Sequence, residues 1–197
     1  MRRHFLVRRN LARLLLRLAR WRTVGRPPTK GVLVGAPHTS NWDWALTMLL
    51  AWTNDVQIRL LVKQEFFRGP FGPLLRGTGG VPLDRENPGA TIRTLLADAE
   101  DDETFLLGIA AEGTRSKVDY WKSGFYRISQ QTGLPITLAF LDAPSRTVGF
   151  GPTFEPTGDV RADMDRIRAF YADKRGINPE LSTEPRLREE PERPAPD

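Results

Sequence analysis

Hydrophobic positions recur along this chain with two different periods. Near the N-terminus Val7, Leu11, Leu14 and Leu18 follow spacings of 4, 3 and 4, with Trp21 three residues further on. Arg2, Arg9, Arg13 and Arg20 gather on the opposite side of a 3.6-residue wheel, which is the pattern of an amphipathic helix. Leu16 falls on the basic side and blurs it. Gly25, Pro27 and Pro28 then mark residues 23–30 as a turn. From Gly31 the pattern changes to short apolar runs with β-branched residues. Those at 31–36 (GVLVGA), 56–62 (VQIRLLV), 104–111 (TFLLGIAA), 136–141 and 147–150 predict strands, with a brief one at 80–83. Helical spacing intervenes at 44–52, from the Asn87-Pro88 cap to about Asp102, across 124–132 with Gly133 as its stop, and over 161–174. The stretch 63–85 is punctuated by Gly and Pro and predicts short helical turns on a shaped surface. Strands alternating with helices predict an α/β fold: a mixed, mainly parallel sheet flanked by helices, preceded by an N-terminal amphipathic helix.

Length adds organisation to this pattern. The 197 residues suit one domain, over 31–178, with a basic arm and turn at 1–30. From 179 to 197 the chain is rich in Pro, Glu and Arg and predicts a disordered tail. Charge divides along the same boundaries. The net charge is +5, but the first 42 residues hold ten Arg or Lys and no acid, and the remaining 19 basic and 24 acidic residues give the body a net −5. A cationic arm on an acidic body suits a polyanionic partner. The arm has no series of base-stacking aromatics and no helix-turn-helix spacing, so a nucleic acid is not expected. Its leucines and flanking arginine stems suit the headgroup region of an anionic membrane, bound peripherally through residues 1–22 at the cytoplasmic face. The same stripe could instead pack on the domain. The apolar run is far too short to span a bilayer, arginines interrupt every candidate signal-peptide core, and an Arg-rich presequence fits the composition as well.

Composition narrows the chemistry further. With no cysteine there is no thiolate nucleophile, disulfide or Cys-ligated zinc. His4 and His38 are the two histidines, no metal site is expected, and no cofactor is called for. His38 and Asp43 form an H-x-x-x-x-D spacing in HTSNWD, directly after the first long strand. If the chain turns there from strand into helix, the carboxylate can fold back to the imidazole, fix its tautomer and favour the imidazolium. The alternative is an Asp capping a helix beside a satisfied histidine. Glu112, Gly113, Thr114 and Arg115 end another strand with a close-approach glycine, backbone N–H groups, a hydroxyl and a guanidinium, a set able to cradle a phosphate or to form an ordinary surface turn. Arg85 ends the strand at 80–83 and offers either a second phosphate contact or a partner for Asp84 or Glu86. Trp42 and Trp44 place aromatic bulk beside the histidine, suited to a groove wall or to core packing.

The segments PHTSNWDW, KQEFFRGPFGPLLRGTGGVPLDR and AEGTRSKVDYWKSGFYRIS, in this order and at these separations, resemble consecutive motifs of the glycerolipid acyltransferases, the lysophosphatidic acid acyltransferase family. The resemblance runs from about Gly31 to Phe140. It implies transfer of a fatty acyl group from acyl-CoA or acyl carrier protein to the hydroxyl of a lysophospholipid such as 1-acylglycerol 3-phosphate. His38 would be the base and Asp43 its orienting partner. Arg85, Glu112, Gly113, Thr114 and Arg115 would shape the acceptor-phosphate site, with Lys63 at the basic position that opens the second motif. Two departures stand out: Ala111 occupies the place where the family commonly has proline, and LPITLAF keeps Pro135 but has Ala139 near the second proline position. A catalytically idle lipid-binding protein of the same fold is the rival reading, although it would need neither the base nor its orienter.

Overall fold

The computed structural model describes residues 2–84 and 86–190. At its centre lies a seven-stranded sheet made of β1 (Arg22–Val24), β2 (Gly31–Ala36), β3 (Ile58–Lys63), β4 (Gly80–Leu83), β5 (Leu106–Ala110), β6 (Ile136–Asp142) and β7 (Thr147–Phe154). The order across the sheet is β1-β7-β6-β2-β5-β3-β4. Neighbours are parallel except β6 and β7. Only residues 143–146 separate that pair, enough for a hairpin and too few for a crossover. Among the described residues six helices accompany the sheet: α1 (Arg2–Leu18), α2 (Trp42–Thr53), α3 (Gly72–Gly77), α4 (Pro88–Asp101), α5 (Gly124–Thr132) and α6 (Val160–Tyr171). Short 3-10 turns occupy Gln64–Phe67 and Pro179–Leu181.

Both faces of the sheet are covered, which is why the strands read as near-continuous apolar runs. Val32, Val34, Leu107, Ile136 and Leu138 point to one face, under Leu95 of α4, Phe125 and Ile128 of α5, and Met164 and Ile167 of α6. Leu33, Ile58, Leu106, Val148 and Phe150 alternate to the other, beneath Leu16 of α1 and Leu46, Leu50 and Ala51 of α2. Because β2, β3, β4 and β5 run parallel, their carboxyl ends share one edge, and the segments that carry the candidate chemistry all emerge there.

The N-terminal helix settles on the domain by its minority face. Ala12 and Leu16 are buried, and Arg9 Nη1 pairs with Asp55 Oδ2 at 2.8 Å just beyond the end of α2. Val7, Leu11, Leu14 and Leu18, the stripe that looked competent to pack on the core, are exposed together with Leu6 and Leu15. Trp21 departs from that stripe and packs against the α1–α2 side of the core. No helix among the described residues is long and apolar enough to cross a membrane.

Two expectations are corrected. Residues 22–24 form β1 where the arm was expected to pass into the turn at 23–30, because Arg22, Thr23 and Val24 pair with Thr147, Val148 and Gly149 of β7 and become the edge of the sheet, a tertiary event with no local pattern. The segment expected to be a disordered tail is instead ordered over 179–190. Leu187 is 1% exposed within the main core, Trp121 bridges to it, and Arg168 of α6 binds Glu190 at 2.7 Å. Its composition hides one apolar anchor and a set of directed polar contacts. Residues 191–197 lie outside the described residues.

Candidate active site

Strand β2 delivers the chain through the cis peptide Ala36–Pro37 to His38, and α2 begins four residues later. Asp43, in the first turn of α2, points back rather than outward. Its Oδ2 accepts the N–H groups of Thr39 at 2.7 Å and Ser40 at 2.8 Å and lies 3.2 Å from His38 Nδ1. Two backbone donors and a ring nitrogen of His38 therefore surround one carboxylate oxygen of a residue only 7% exposed. The contact sets the Nδ1 side of the ring against the carboxylate and leaves Nε2 on the side away from Asp43. Asp43 thus holds the backbone of the loop ahead of α2 while lying against the imidazole.

The second constellation lies against the first. Register places Gly35 beside Ala110, so the residues that follow β2 and β5 emerge as neighbours. Glu112 is 1% exposed, and its Oε2 accepts the His38 backbone N–H at 2.6 Å while Oε1 accepts the Thr183 N–H at 3.3 Å. Burial raises the pKa of this carboxyl above the ordinary glutamate range, and the two N–H donors work against that rise. Gly113 turns the chain with φ 70°, Thr114 Oγ1 accepts the N–H of Ser116, and Arg115 is exposed with no carboxylate paired to it among the described residues. Lys63 ends β3 at the same sheet edge, half-buried, and no hydrogen bond among the described residues joins it to His38 or Glu112. Arg85 lies outside the described residues. Trp42 is 69% exposed next to the histidine, whereas Trp44 is half-buried. Among the described residues no group of His, Asp and Glu is disposed to hold a metal ion.

A third contributor had no signal in the sequence. Asn178 donates its backbone N–H to Thr39 Oγ1 at 3.1 Å and its Nδ2 to the Thr39 carbonyl at 2.8 Å. A Cβ on Gly176 would sit 2.4 Å from Thr39 Oγ1, so only glycine admits this approach. Thr183 holds Glu112 through its N–H, accepts the Val118 N–H at its hydroxyl, and accepts Trp121 Nε1 at its carbonyl. Residues 176–190 thus form a strap that ties the loop after β2 to the loop after β5. Polar residues in a Pro- and Glu-rich stretch carry no mark of such pairing. The strap and α6 also flank a cleft of about 470 Å3 beside Pro37 and Glu112.

The structure thus sets an imidazole beside a buried carboxylate and next to a glycine turn that carries a hydroxyl and an exposed guanidinium. The chain belongs to the Acyltransferase family, whose sequence model matches residues 20–138, more than half of its length. It is 30% identical over 122 residues to the 1-acyl-sn-glycerol-3-phosphate acyltransferase of Bacillus subtilis, a match that takes in 60% of this chain and 59% of that relative's length. It also resembles the crystal structure of the 1-acyl-sn-glycerophosphate acyltransferase PlsC from Thermotoga maritima. The TM-score is 0.58 at 18% identity, covering 86% of this chain and 76% of that one, a likeness of fold. The strap lies beyond the residues that the family model matches.

Proposed function

We propose that this protein transfers a fatty acyl group from an acyl thioester, acyl-CoA or acyl carrier protein, to the hydroxyl of a lysophospholipid such as 1-acylglycerol 3-phosphate. The observation that carries the reading is the His38 Nδ1–Asp43 Oδ2 contact of 3.2 Å. Nε2 accepts the hydroxyl proton as the acceptor oxygen attacks the thioester carbonyl, and Asp43 stabilises the imidazolium. Collapse of the tetrahedral intermediate breaks the C–S bond, and the imidazolium returns its proton to the departing thiolate. No protein nucleophile is required, in keeping with a chain that has no cysteine. Thr114 and Arg115, together with Arg85 and with Lys63 at the end of β3, receive the acceptor phosphate as an anion among cations. Glu112 does not touch substrate in this scheme; it fixes the His38 backbone. The substrate is amphiphilic, and the leucine stripe of α1 places the enzyme peripherally on an anionic membrane, at the cytoplasmic face, where that substrate lies.

The test is thiol release from acyl-CoA with lysophosphatidate as acceptor. His38→Ala is expected to stay folded by circular dichroism and to lose at least about a thousandfold in kcat, the scale of a lost general base. Near-normal transfer by the purified variant would overturn the assignment. A wild-type protein that binds lysolipid and releases no thiol under any acceptor would favour the idle lipid-binding reading instead.

A further inference from the structure

The residues that follow the Glu-Gly-Thr-Arg loop enclose a second feature. Residues 117–123, with Arg188 and Glu189 of the strap, surround a hollow of about 530 Å3 whose wall carries Lys117, Lys122 and Arg188. Of the two carboxylates on that wall, Glu189 is held by Arg127 at 2.5 Å and by the Ser123 hydroxyl at 2.8 Å. Asp119 is the other. Among the described residues no carboxylate pairs with Lys117, Lys122 or Arg188, so the hollow keeps an excess of positive charge. Arg186 and Arg188 each rest 5.6 Å from the ring of Tyr120, a cation–π contact that restrains both side chains before any ligand arrives.

Lys122 connects this hollow to the candidate active site. Its backbone N–H donates to the Ala111 carbonyl at 2.7 Å. Its stem lies along Gly113, where a Cβ would come 3.0 Å from Lys122 Cγ. The hollow therefore borders the loop whose glutamate holds the His38 backbone.

The proposed reaction brings together two phosphorylated reactants, and the molecule offers two cationic places beside one base. The acceptor's phosphomonoester is already assigned to Thr114 and Arg115. The remaining phosphates are those of the thioester carrier. Coenzyme A bears a diphosphate and a ribose phosphomonoester, whereas a carrier protein presents a single phosphodiester. Lys117, Lys122 and Arg188 outnumber the wall carboxylates Asp119 and Glu189, the latter already held by Arg127, and this excess matches the carrier with the more highly phosphorylated end. We propose that the hollow formed by Lys117, Lys122 and Arg188 holds the phosphates of a coenzyme A thioester, which makes acyl-CoA the donor. This rests on the acyltransferase reading above, and the experiment separates the two.

Adenosine 3′,5′-bisphosphate, the phosphorylated end of coenzyme A without its thiol, is titrated by calorimetry into the wild-type protein and into Lys117→Ala/Lys122→Ala and Arg188→Ala. No turnover is needed. All three positions are exposed, and circular dichroism verifies that the variants fold. Wild type is expected to bind, each lost cation to weaken binding by about tenfold, and added salt to weaken wild type most. In steady-state assays the KM for acyl-CoA should rise about tenfold while the KM for lysophosphatidate changes by less than about twofold. The wild-type preference for acyl-CoA over the same acyl group on N-acetylcysteamine should shrink in parallel. Failure of the bisphosphate to bind wild type overturns the proposal. So does a rise in the lysophosphatidate KM that equals or exceeds that for acyl-CoA, which would give the hollow to the acceptor. Bisphosphate binding by a wild-type protein that transfers no acyl group would sink the acyltransferase reading and leave the ligand of the hollow in place.

Discussion

Glu112 shows how a single residue can be held against its own solvation. Its two carboxylate oxygens face two backbone donors, from His38 and Thr183, and a carboxylate is the side chain that can accept both. A glutamine would satisfy one and turn its amide N–H towards the other. Burial nonetheless raises the carboxyl pKa above the ordinary value of 4.5. The sign follows from linkage. The folded state holds this proton more tightly than the unfolded chain, so the contribution to stability is fully present below about pH 4.5 and is lost as pH rises through the elevated folded pKa. Glu112→Gln is therefore expected to remove a downward slope of unfolding free energy with pH that begins near pH 4.5, measured by urea unfolding at a series of pH values. The same variant should lose transfer activity at pH 7, because the mismatched amide shifts the backbone that carries the base. A slope unchanged by the substitution would mean that the elevated carboxyl lies elsewhere.

At the scale of elements, the site is a junction of three segments, and only two of them announced themselves. HTSNWD and EGTR were legible because each packs several special residue types into a short stretch after an apolar run, and parallel strands must deliver such stretches to one edge. The five longer strands and the main helices were legible for a related reason: burial on both faces or on one stripe leaves a period in the sequence. Strand β1 and the strap left none. Their places come from partners far along the chain, Thr147–Gly149 for one and Thr39 and Glu112 for the other. The proposed function nevertheless gives the strap a measurable part in the chemistry. Asn178→Ala removes the donor to the Thr39 carbonyl, next to the base, without touching substrate. Loss of one such bond is worth about 1 kcal/mol, so kcat should fall about fivefold with KM for both substrates unchanged. A fall in melting temperature with kcat intact would make the strap a purely structural brace.

Across the whole molecule, α1 turns one sequence pattern into two separable surfaces. Ala12 and Leu16 face α2 and the sheet, and the leucine stripe faces outward with exposed Arg13 and Arg17 along the same helix. A helix whose core contact is met by its minority face has its larger apolar face left exposed. Helix α2 carries Asp43 at its start and packs against α1, so on the proposed function a membrane held by the stripe would be coupled through one packed helix to His38. The two surfaces should respond to substitution in opposite ways. Leu11→Ser/Leu14→Ser/Leu18→Ser removes partly inserted side chains worth about 1 kcal/mol each, so binding to vesicles of anionic phospholipid should fall about a hundredfold in flotation while the melting temperature holds. Leu16→Ser, which buries a hydroxyl in the α1–α2 core, should lower the melting temperature and spare flotation at temperatures where the protein stays folded. Raising ionic strength should weaken the arginine contribution of wild type and leave the leucine contribution, since salt screens charge and not apolar burial. If the stripe variant floats as well as wild type, the leucines serve some surface other than a bilayer, and the acceptor must then reach the site by a route that α1 does not provide.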